Sequence, residues 1–224
     1  FAGVNPCAEE PLPAGGSCLL GSLNLAAFVT DPFTPEAAFD HAAFREAVRT
    51  SVAFLNEVLE EGLALHPLPE QRESVNNWRQ IGLGIMGLGD ALIQLGVRYG
   101  SEDSLTLCNE IGFEMADTAI AASAQLAEQY GSYAMYREEA VMNSPYFIAN
   151  TTEETKKLVQ QHGMRNSQLL TIAPTGSIST MLGISGGIEP IYNISYTRKT
   201  ESLHGEDRYY KVYTEVVKDY MEAT

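Results

Sequence analysis

The sequence predicts a mixed α/β fold in which helix dominates and the strands run parallel. Three observations carry this. Two short apolar runs, residues 18–25 and 169–173, are bounded by glycine, proline or polar turn residues and read as buried strands. Long stretches between them place apolar residues at helical spacing. The second strand runs into Thr175-Gly176-Ser177, a glycine-bearing turn that leads into a short helix candidate.

Taken in order, residues 18–25 form the first buried extended segment. Thr34 then has the character of an N-cap, with Pro35 at the first helical position and Glu36 behind it. A helix is expected from there to about residue 61, stopped by Gly62. Its apolar face is Phe39, Ala43, Val48, Val52, Leu55 and Leu59. His66-Pro67-Leu68-Pro69 is a connector. Residues 78–95 are apolar with five glycines in or beside them, and are expected to form a closely packed helix. Ser101 caps the next helix, with Glu102 and Asp103 favourable at its positive end. That helix runs to about residue 129 and stops at Gly131. Thr151-x-x-Glu154 is a capping box for a helix ending at Gly163. Residues 169–173 are the clearest strand, residues 188–196 are expected to form another, and residues 206–221 a tyrosine-bearing helix.

The 224 residues suffice for a large core in one domain or one large piece of a domain. The formal net charge of −15 argues against general binding to nucleic acid or acidic membranes, which needs a basic surface. Three cysteines are too few for a disulfide scaffold, and the odd count fits a reducing, cytoplasmic compartment. The longest apolar stretch, residues 81–97, is broken by Asp90, Gln94 and glycines, so no membrane span is expected. The chain opens at Phe1 directly on a motif, which reads as a single fragment, residues 1–224, of a longer domain.

That opening motif is Asn5-Pro6-Cys7-Ala8-Glu9, with Cys18 eleven residues after Cys7. In an extended chain Asn5, Cys7 and Glu9 project to one side. Pro6 favours a loop or strand edge. A neighbouring carboxylate raises a thiol pKa, so the trio does not suit a hydrolase nucleophile. It suits one-electron chemistry at sulfur, with the carboxylate as general base and the amide as a positioning group. A small buried cysteine near two solvated glutamates fits the same spacing. The Pro174-Thr175-Gly176-Ser177 turn offers backbone amides and hydroxyls to an anion, although an ordinary N-cap without a ligand fits it equally. Gly82-x-Gly84-x-x-Gly87 formally matches a dinucleotide fingerprint, but residues 73–80 make a poor buried strand before it. Cys108, between Leu107 and Ile111, reads as an inert packed thiol.

Several motifs together, in order, resemble the large catalytic subunit of ribonucleotide reductase. They are Asn5-Pro6-Cys7-x-Glu9, the stretch from Ser17 to Leu25, Arg79 to Asp90, Asn166 to Ser179, and Gly183 to Pro190. The wording is closest to the adenosylcobalamin-dependent class. The resemblance implies a fold: the cysteine loop plus much of the second half of a ten-stranded α/β barrel. It also implies roles. Cys7 would carry a thiyl radical that removes the ribose 3′ hydrogen, Glu9 would take the 3′ hydroxyl proton, and Asn5 would bond the ribose hydroxyls. Cys18 would be one member of the cysteine pair that supplies two electrons by closing a disulfide. Pro174, Thr175, Gly176 and Ser177 would bind the substrate phosphates. Adenosylcobalamin is the implied cofactor, held mostly outside this chain, with a ribonucleotide substrate, a thioredoxin-like reductant and a homodimeric intact enzyme. Tyr209-Tyr210 comes too early for the tyrosine relay of radical-subunit relatives.

Two other classes remain open on the residues alone. A nicotinamide-dependent dehydrogenase would need a strong strand before Gly82. A non-catalytic nucleotide-binding or assembly fragment would pair a phosphate site at residues 175–177 with a buried or disordered Cys7.

Overall fold

A computed structural model describes residues 2–193, 195–200 and 207–224. A small hairpin opens the chain: β1 (Gly3–Val4) pairs antiparallel with β2 (Pro11–Leu12). β3 (Leu20–Asn24) follows, and its last residue caps a 3-10 turn, the Asn24 Oδ1 accepting from the Ala26 amide at 3.1 Å. β4 (Val29–Thr30) and β5 (Ala38–Phe39) form a second two-residue ladder.

α1 (His41–Leu63) begins later than Thr34 predicts. The Thr34 hydroxyl accepts from the Glu36 amide and donates to the Asp31 carbonyl, closing a local turn. Residues 38–39 are drawn into the β4 ladder, so Asp40 caps the helix instead, accepting from the Ala43 amide at 2.9 Å. Gly62 lies inside the helix rather than ending it. The expected apolar face is right in period but turns onto Phe44 in place of the exposed Ala43. Phe44, Val48, Val52, Leu55 and Leu59 bury against Ile111, Met115 and Ala119 of α4 (Glu102–Tyr130). Such side chains contribute about 2 kcal/mol each when fully buried. Ser101 caps α4 as its sequence indicates, accepting from the Ser104 amide, and Gly131 ends it.

α2 (Pro69–Trp78) has Pro69 in its first turn and ends at Arg79, whose φ of 49° is left-handed. The chain then forms β6 (Gly82–Met86), where the sequence predicts helix. Beyond Trp78, the last residue of α2, only Leu88–Gln94, α3, is helical in residues 78–95. β6 is buried along its whole length and runs parallel to β3, in register from Leu20↔Gly82 to Asn24↔Met86. On its other side lie residues 168–171, also parallel. The Leu83 amide donates to the Leu169 carbonyl at 2.8 Å, and the Thr171 amide to the Leu83 carbonyl at 3.1 Å. The expected strand over 169–173 is thus an extended segment bridged to β6 at one residue pair, Leu83↔Leu170.

Glycine makes this sandwiching possible. A Cβ at Gly84 would sit 2.2 Å from the Thr171 carbonyl oxygen, and one at Gly82 2.6 Å from the Thr171 methyl. A fully covered central strand carries no alternation, so its apolar run does not distinguish strand from buried helix. The fingerprint glycines Gly82 and Gly84 therefore serve strand packing rather than a cofactor turn.

The start of the 168–171 segment is fixed by a buried polar network. The Asn166 amide donates to Ser123 Oγ, which donates to Asn166 Oδ1, both at 3.0 Å, while Asn166 Nδ2 donates to the Arg79 carbonyl at 3.0 Å. Arg79 and Arg165 share the Glu60 carboxylate.

α5 (Glu138–Met142) and α6 (Pro145–Ala149) are short. α7 (Glu153–His162) is capped by Thr152, one residue after the position read from sequence, and ends at Gly163 as expected. α8 (Gly176–Leu182) is the short helix expected after residue 177, but it begins two residues earlier, taking in Gly176 and Ser177 with Thr175 as its N-cap. Of the strand expected over 188–196, only residues 195 and 196 are in strand, and residue 194 lies outside the described residues. They belong to β7 (Ser195–Thr200), which pairs antiparallel with β8 (Arg208–Tyr213). The helix expected over 206–221 is corrected likewise. Residue 206 lies outside the described residues, Tyr209 and Tyr210 are on β8, and α9 (Glu215–Ala223) begins only afterwards. Three tyrosines and a valine within residues 208–213 favour strand over helix. Among the described residues, no helix is long and apolar enough to cross a membrane.

Gly84→Ala should cost about 3 kcal/mol, the upper end of overpacking penalties, because the obstructing atom is backbone. Gly112→Ala, on α4 with open space around it, should instead stabilise by roughly 0.5–1 kcal/mol. Urea unfolding midpoints at unchanged slope measure both.

Candidate functional site

The Asn5–Glu10 segment is a closed loop, not an extended strand. The Ala8 amide donates to the Asn5 carbonyl at 2.9 Å, which makes Pro6 and Cys7 the centre of a tight turn. Ala8 has a left-handed φ of 65°. The loop is tied at its neck by the Asn5 amide to the Glu10 carbonyl at 3.1 Å, and by the Glu10 amide to Asn5 Oδ1 at 2.8 Å. The expectation that Asn5, Cys7 and Glu9 project to one side of an extended chain is therefore corrected. Asn5 points inward and is 5% exposed, Cys7 is exposed at the tip, and Glu9 is half-buried.

The thiol–carboxylate interaction read for Cys7 and Glu9 is developed instead at Cys18. Its residue surface is exposed, but partial burial of the sulfur, the Glu10 carboxyl facing it, and the charges of Glu10 and Glu9 push the thiol up to about 11. The Asn5 side chain, acting as a donor, offsets part of this. Glu10 is fully buried, and its carboxyl is raised above the ordinary range, first by burial, then by the Glu9 charge, with the Cys18 thiol opposing. Neither Glu10 oxygen has a hydrogen-bond partner. Glu10 was not singled out from sequence. Its only signal there is a second carboxylate directly after the Cys-x-Glu pattern.

The loop is joined to the second motif through one hydrogen bond. Thr171 Oγ1 donates to the Glu9 carbonyl at 3.1 Å. Three residues on, at most about 10 Å of chain, stands Pro174. Thr175 follows with a left-handed φ of 52° and opens α8, and its hydroxyl accepts from the Gly187 amide at 2.9 Å. Gly176 and Ser177 are exposed, and first-turn amides of a helix have no intrahelical acceptor.

Asp90 pins the segment that backs this turn. It is 2% exposed, and its Oδ2 accepts from both the amide and the hydroxyl of Ser185 at 2.7 Å. Ser185 Oγ in turn accepts from the Gly89 amide, and the Ser185 carbonyl accepts from the Gly87 amide. The sequence signal was a single carboxylate inside an apolar run, read there only as an interruption. Between α8, this segment and the start of β7 lies an open cavity of about 420 Å³, lined by Pro174, Gly176, Ser179 and Glu189 among others. Cys108 is half-buried on α4, and burial alone raises its thiol. It lies apart from the cysteine turn in sequence and element, packed against the core.

A thiol turn is thus tied to an extended segment that turns into a helix, beside a parallel strand pair. The family model described as "Ribonucleotide reductase, barrel domain" matches residues 2–223, and the chain belongs to that family. It is 32% identical over 201 residues to a vitamin B12-dependent ribonucleoside-diphosphate reductase of Mycobacterium tuberculosis, covering 90% of this chain and 26% of the relative. A protein of the same description from Thermoplasma acidophilum is 34% identical over 204 residues, covering 91% of this chain and 23% of the relative. A ribonucleoside-diphosphate reductase subunit alpha of Chlamydia pneumoniae is 30% identical over 227 residues, with 90% and 21% covered. The chain thus spans about a quarter or less of the length of these relatives.

Asp90→Ala should cost about 3 kcal/mol, since it removes a charged acceptor from two buried donors. Amide exchange at Ser185 and Gly187 should accelerate together, while exchange in α4 should not change. Equal acceleration throughout would show that Asp90 supports the whole fold rather than this segment.

Proposed function

We propose that the chain contributes the cysteine turn and the phosphate loop to an enzyme that reduces ribonucleoside diphosphates to deoxyribonucleotides by thiyl-radical chemistry. The observation that carries this reading is the hydrogen bond from Thr171 to Glu9, which couples the cysteine turn to the segment leading into the Thr-Gly-Ser loop. One end of a nucleotide is then read by each stretch.

Cys7, at the exposed tip, is the sulfur that takes the 3′ hydrogen as a radical. Glu9, two residues on and held by its own carbonyl, takes the 3′ hydroxyl proton. Radical character at C3′ makes loss of the 2′ hydroxyl as water feasible at neutral pH. Two thiols, Cys18 and a second cysteine, then give two electrons and become a disulfide. Asn5 braces the turn through the Glu10 amide, and its side-chain donors are the group read as orienting the ribose hydroxyls. Thr175, Gly176 and Ser177 hold the phosphates through backbone amides and hydroxyls, and Pro174, which has no N–H, shapes the turn that presents them.

The relatives named as vitamin B12-dependent favour adenosylcobalamin over a separate radical subunit. The open position of Cys7 fits a bulky group approaching from outside this chain. That cofactor, when bound, supplies the oxidation that makes the Cys7 sulfur a radical. A thioredoxin-like dithiol regenerates the cysteine pair, the intact enzyme is a homodimer, and its compartment is the cytoplasm.

The test uses the complete polypeptide containing this chain, assayed with adenosylcobalamin and a dithiol but no second subunit. Deoxyribonucleotide should form. Cys7→Ser should abolish it, since an O–H bond is too strong to yield the radical. Cys18→Ser should still exchange the 3′ hydrogen yet lose sustained turnover. Mild, equal effects of the two substitutions would reject the assignment.

A further inference from the structure

Asp90 and Ser185 take no part in the roles above, yet both are buried and their hydrogen bonds lead to Thr175. Asp90 is 2% exposed and Ser185 8%. Asp90 Oδ2 accepts from the Ser185 amide and hydroxyl, each at 2.7 Å. Ser185 Oγ accepts from the Gly89 amide at 3.1 Å, and the Ser185 carbonyl from the Gly87 amide at 2.8 Å. Ser185 is thus fixed at its amide, its hydroxyl and its carbonyl. The next two residues lie directly against the backbone that enters the turn. A Cβ at Gly186 would sit 2.7 Å from the Pro174 carbonyl oxygen, and one at Gly187 3.0 Å from the Ala173 carbonyl oxygen. The Gly187 amide then donates to Thr175 Oγ1 at 2.9 Å. Tyr99 holds the far end of this segment, its hydroxyl donating to the Ile188 carbonyl at 2.6 Å.

Thr175 has a left-handed φ of 52°, which a β-branched residue adopts only where its surroundings impose it. A threonine hydroxyl has one hydrogen and two lone pairs. With one lone pair taken by the Gly187 amide, the Thr175 hydroxyl hydrogen is directed away from Gly187. We propose that Asp90 and Ser185 are positioning residues for the nucleotide: through Gly186 and Gly187 they hold Thr175 so that its hydroxyl donates to a substrate phosphate oxygen. The proposal rests on the reading of residues 174–177 as the phosphate turn. Neither Asp90 nor Ser185 touches the nucleotide. The brace bears on Thr175, whereas the cysteine turn is held from Thr171, so the brace sets nucleotide affinity and not the rate of the radical step.

The experiment is done on the complete polypeptide, assayed as above with cytidine diphosphate varied. Ser185→Ala removes the hydroxyl and keeps the backbone donor to Asp90, while Asp90→Asn keeps the size and removes the charge. In each, KM should rise about fivefold or more with kcat within about twofold, the pattern of lost binding that ground and transition states share. Thr175→Val should raise KM about tenfold or more, because a hydrogen bond to a charged group is lost, and Thr175→Ser should leave it nearly unchanged. Coupling between sites is reciprocal, so saturating cytidine diphosphate should slow amide exchange at Ser185 and Gly187 in the unchanged protein. This last measurement needs no variant and decides the question even where a substituted chain fails to fold. With Thr175→Val still raising KM, three results overturn the proposal and leave the function reading intact. They are an unchanged KM in Ser185→Ala and Asp90→Asn, a fall in kcat at unchanged KM in both, or unaltered exchange at Ser185 and Gly187. An unchanged KM in Thr175→Val would instead remove the turn from phosphate binding, and the proposal with it.

Discussion

The structure depends on how closely residues 168–171 can approach β6. Two side-chain-free positions, Gly82 and Gly84, let the Thr171 backbone and methyl lie where a Cβ would otherwise stand. That contact lets Leu83 bond Leu169 and Thr171 on one side while β6 stays in register with β3 on the other. Both functional stretches hang from it. Thr171 reaches across to Glu9 and holds the cysteine turn, and the same segment continues through Ala173 into the Thr175 turn. A single residue, Thr171, thus ties the Cys7 turn to the segment that runs into α8.

Local signals in the sequence were legible where short-range hydrogen bonding decides the outcome. The cap at Ser101, the stops at Gly131 and Gly163, and a helix start at the Thr175 turn are of this kind, while the cap of α7 falls at Thr152, one residue after the position read. β3 was also legible, as a short apolar run bounded by glycine and proline. β6 was not, because a strand covered on both faces has no alternation, and its glycines acquire meaning only from Thr171, far away in sequence. Thr34 and Asp40 are both good caps, and the choice between them was made by the pairing of β5 with β4. The residue types of the site could be read from the motifs, but their disposition could not. Asn5, Cys7 and Glu9 were placed on one face by a period that the Pro6-Cys7 turn abolishes. Glu10 and Asp90 were missed because burial of a carboxylate leaves no mark in a linear sequence.

Those two buried carboxylates are treated differently by the fold. Asp90 has a backbone and a hydroxyl donor on one oxygen, its other oxygen having no partner, and serves to fix Ser185 and the segment behind the Thr175 turn. Glu10 has no hydrogen-bond partner on either oxygen. A buried carboxylate with donors is a strut, whereas one without them carries its desolvation cost uncompensated. The acidic composition of the chain therefore says little about its site. What matters is which carboxylates were given partners.

The hydrogen bond between Thr171 and Glu9 joins residues 162 positions apart. A chain made from its N-terminus outward exposes the cysteine turn long before residue 171 exists to hold it. Until then Cys7 sits on a hairpin that lacks its Thr171 anchor. Within these 224 residues the cysteine turn is made early and its surroundings are completed late, so its final geometry is a property of the finished fold and not of the local chain.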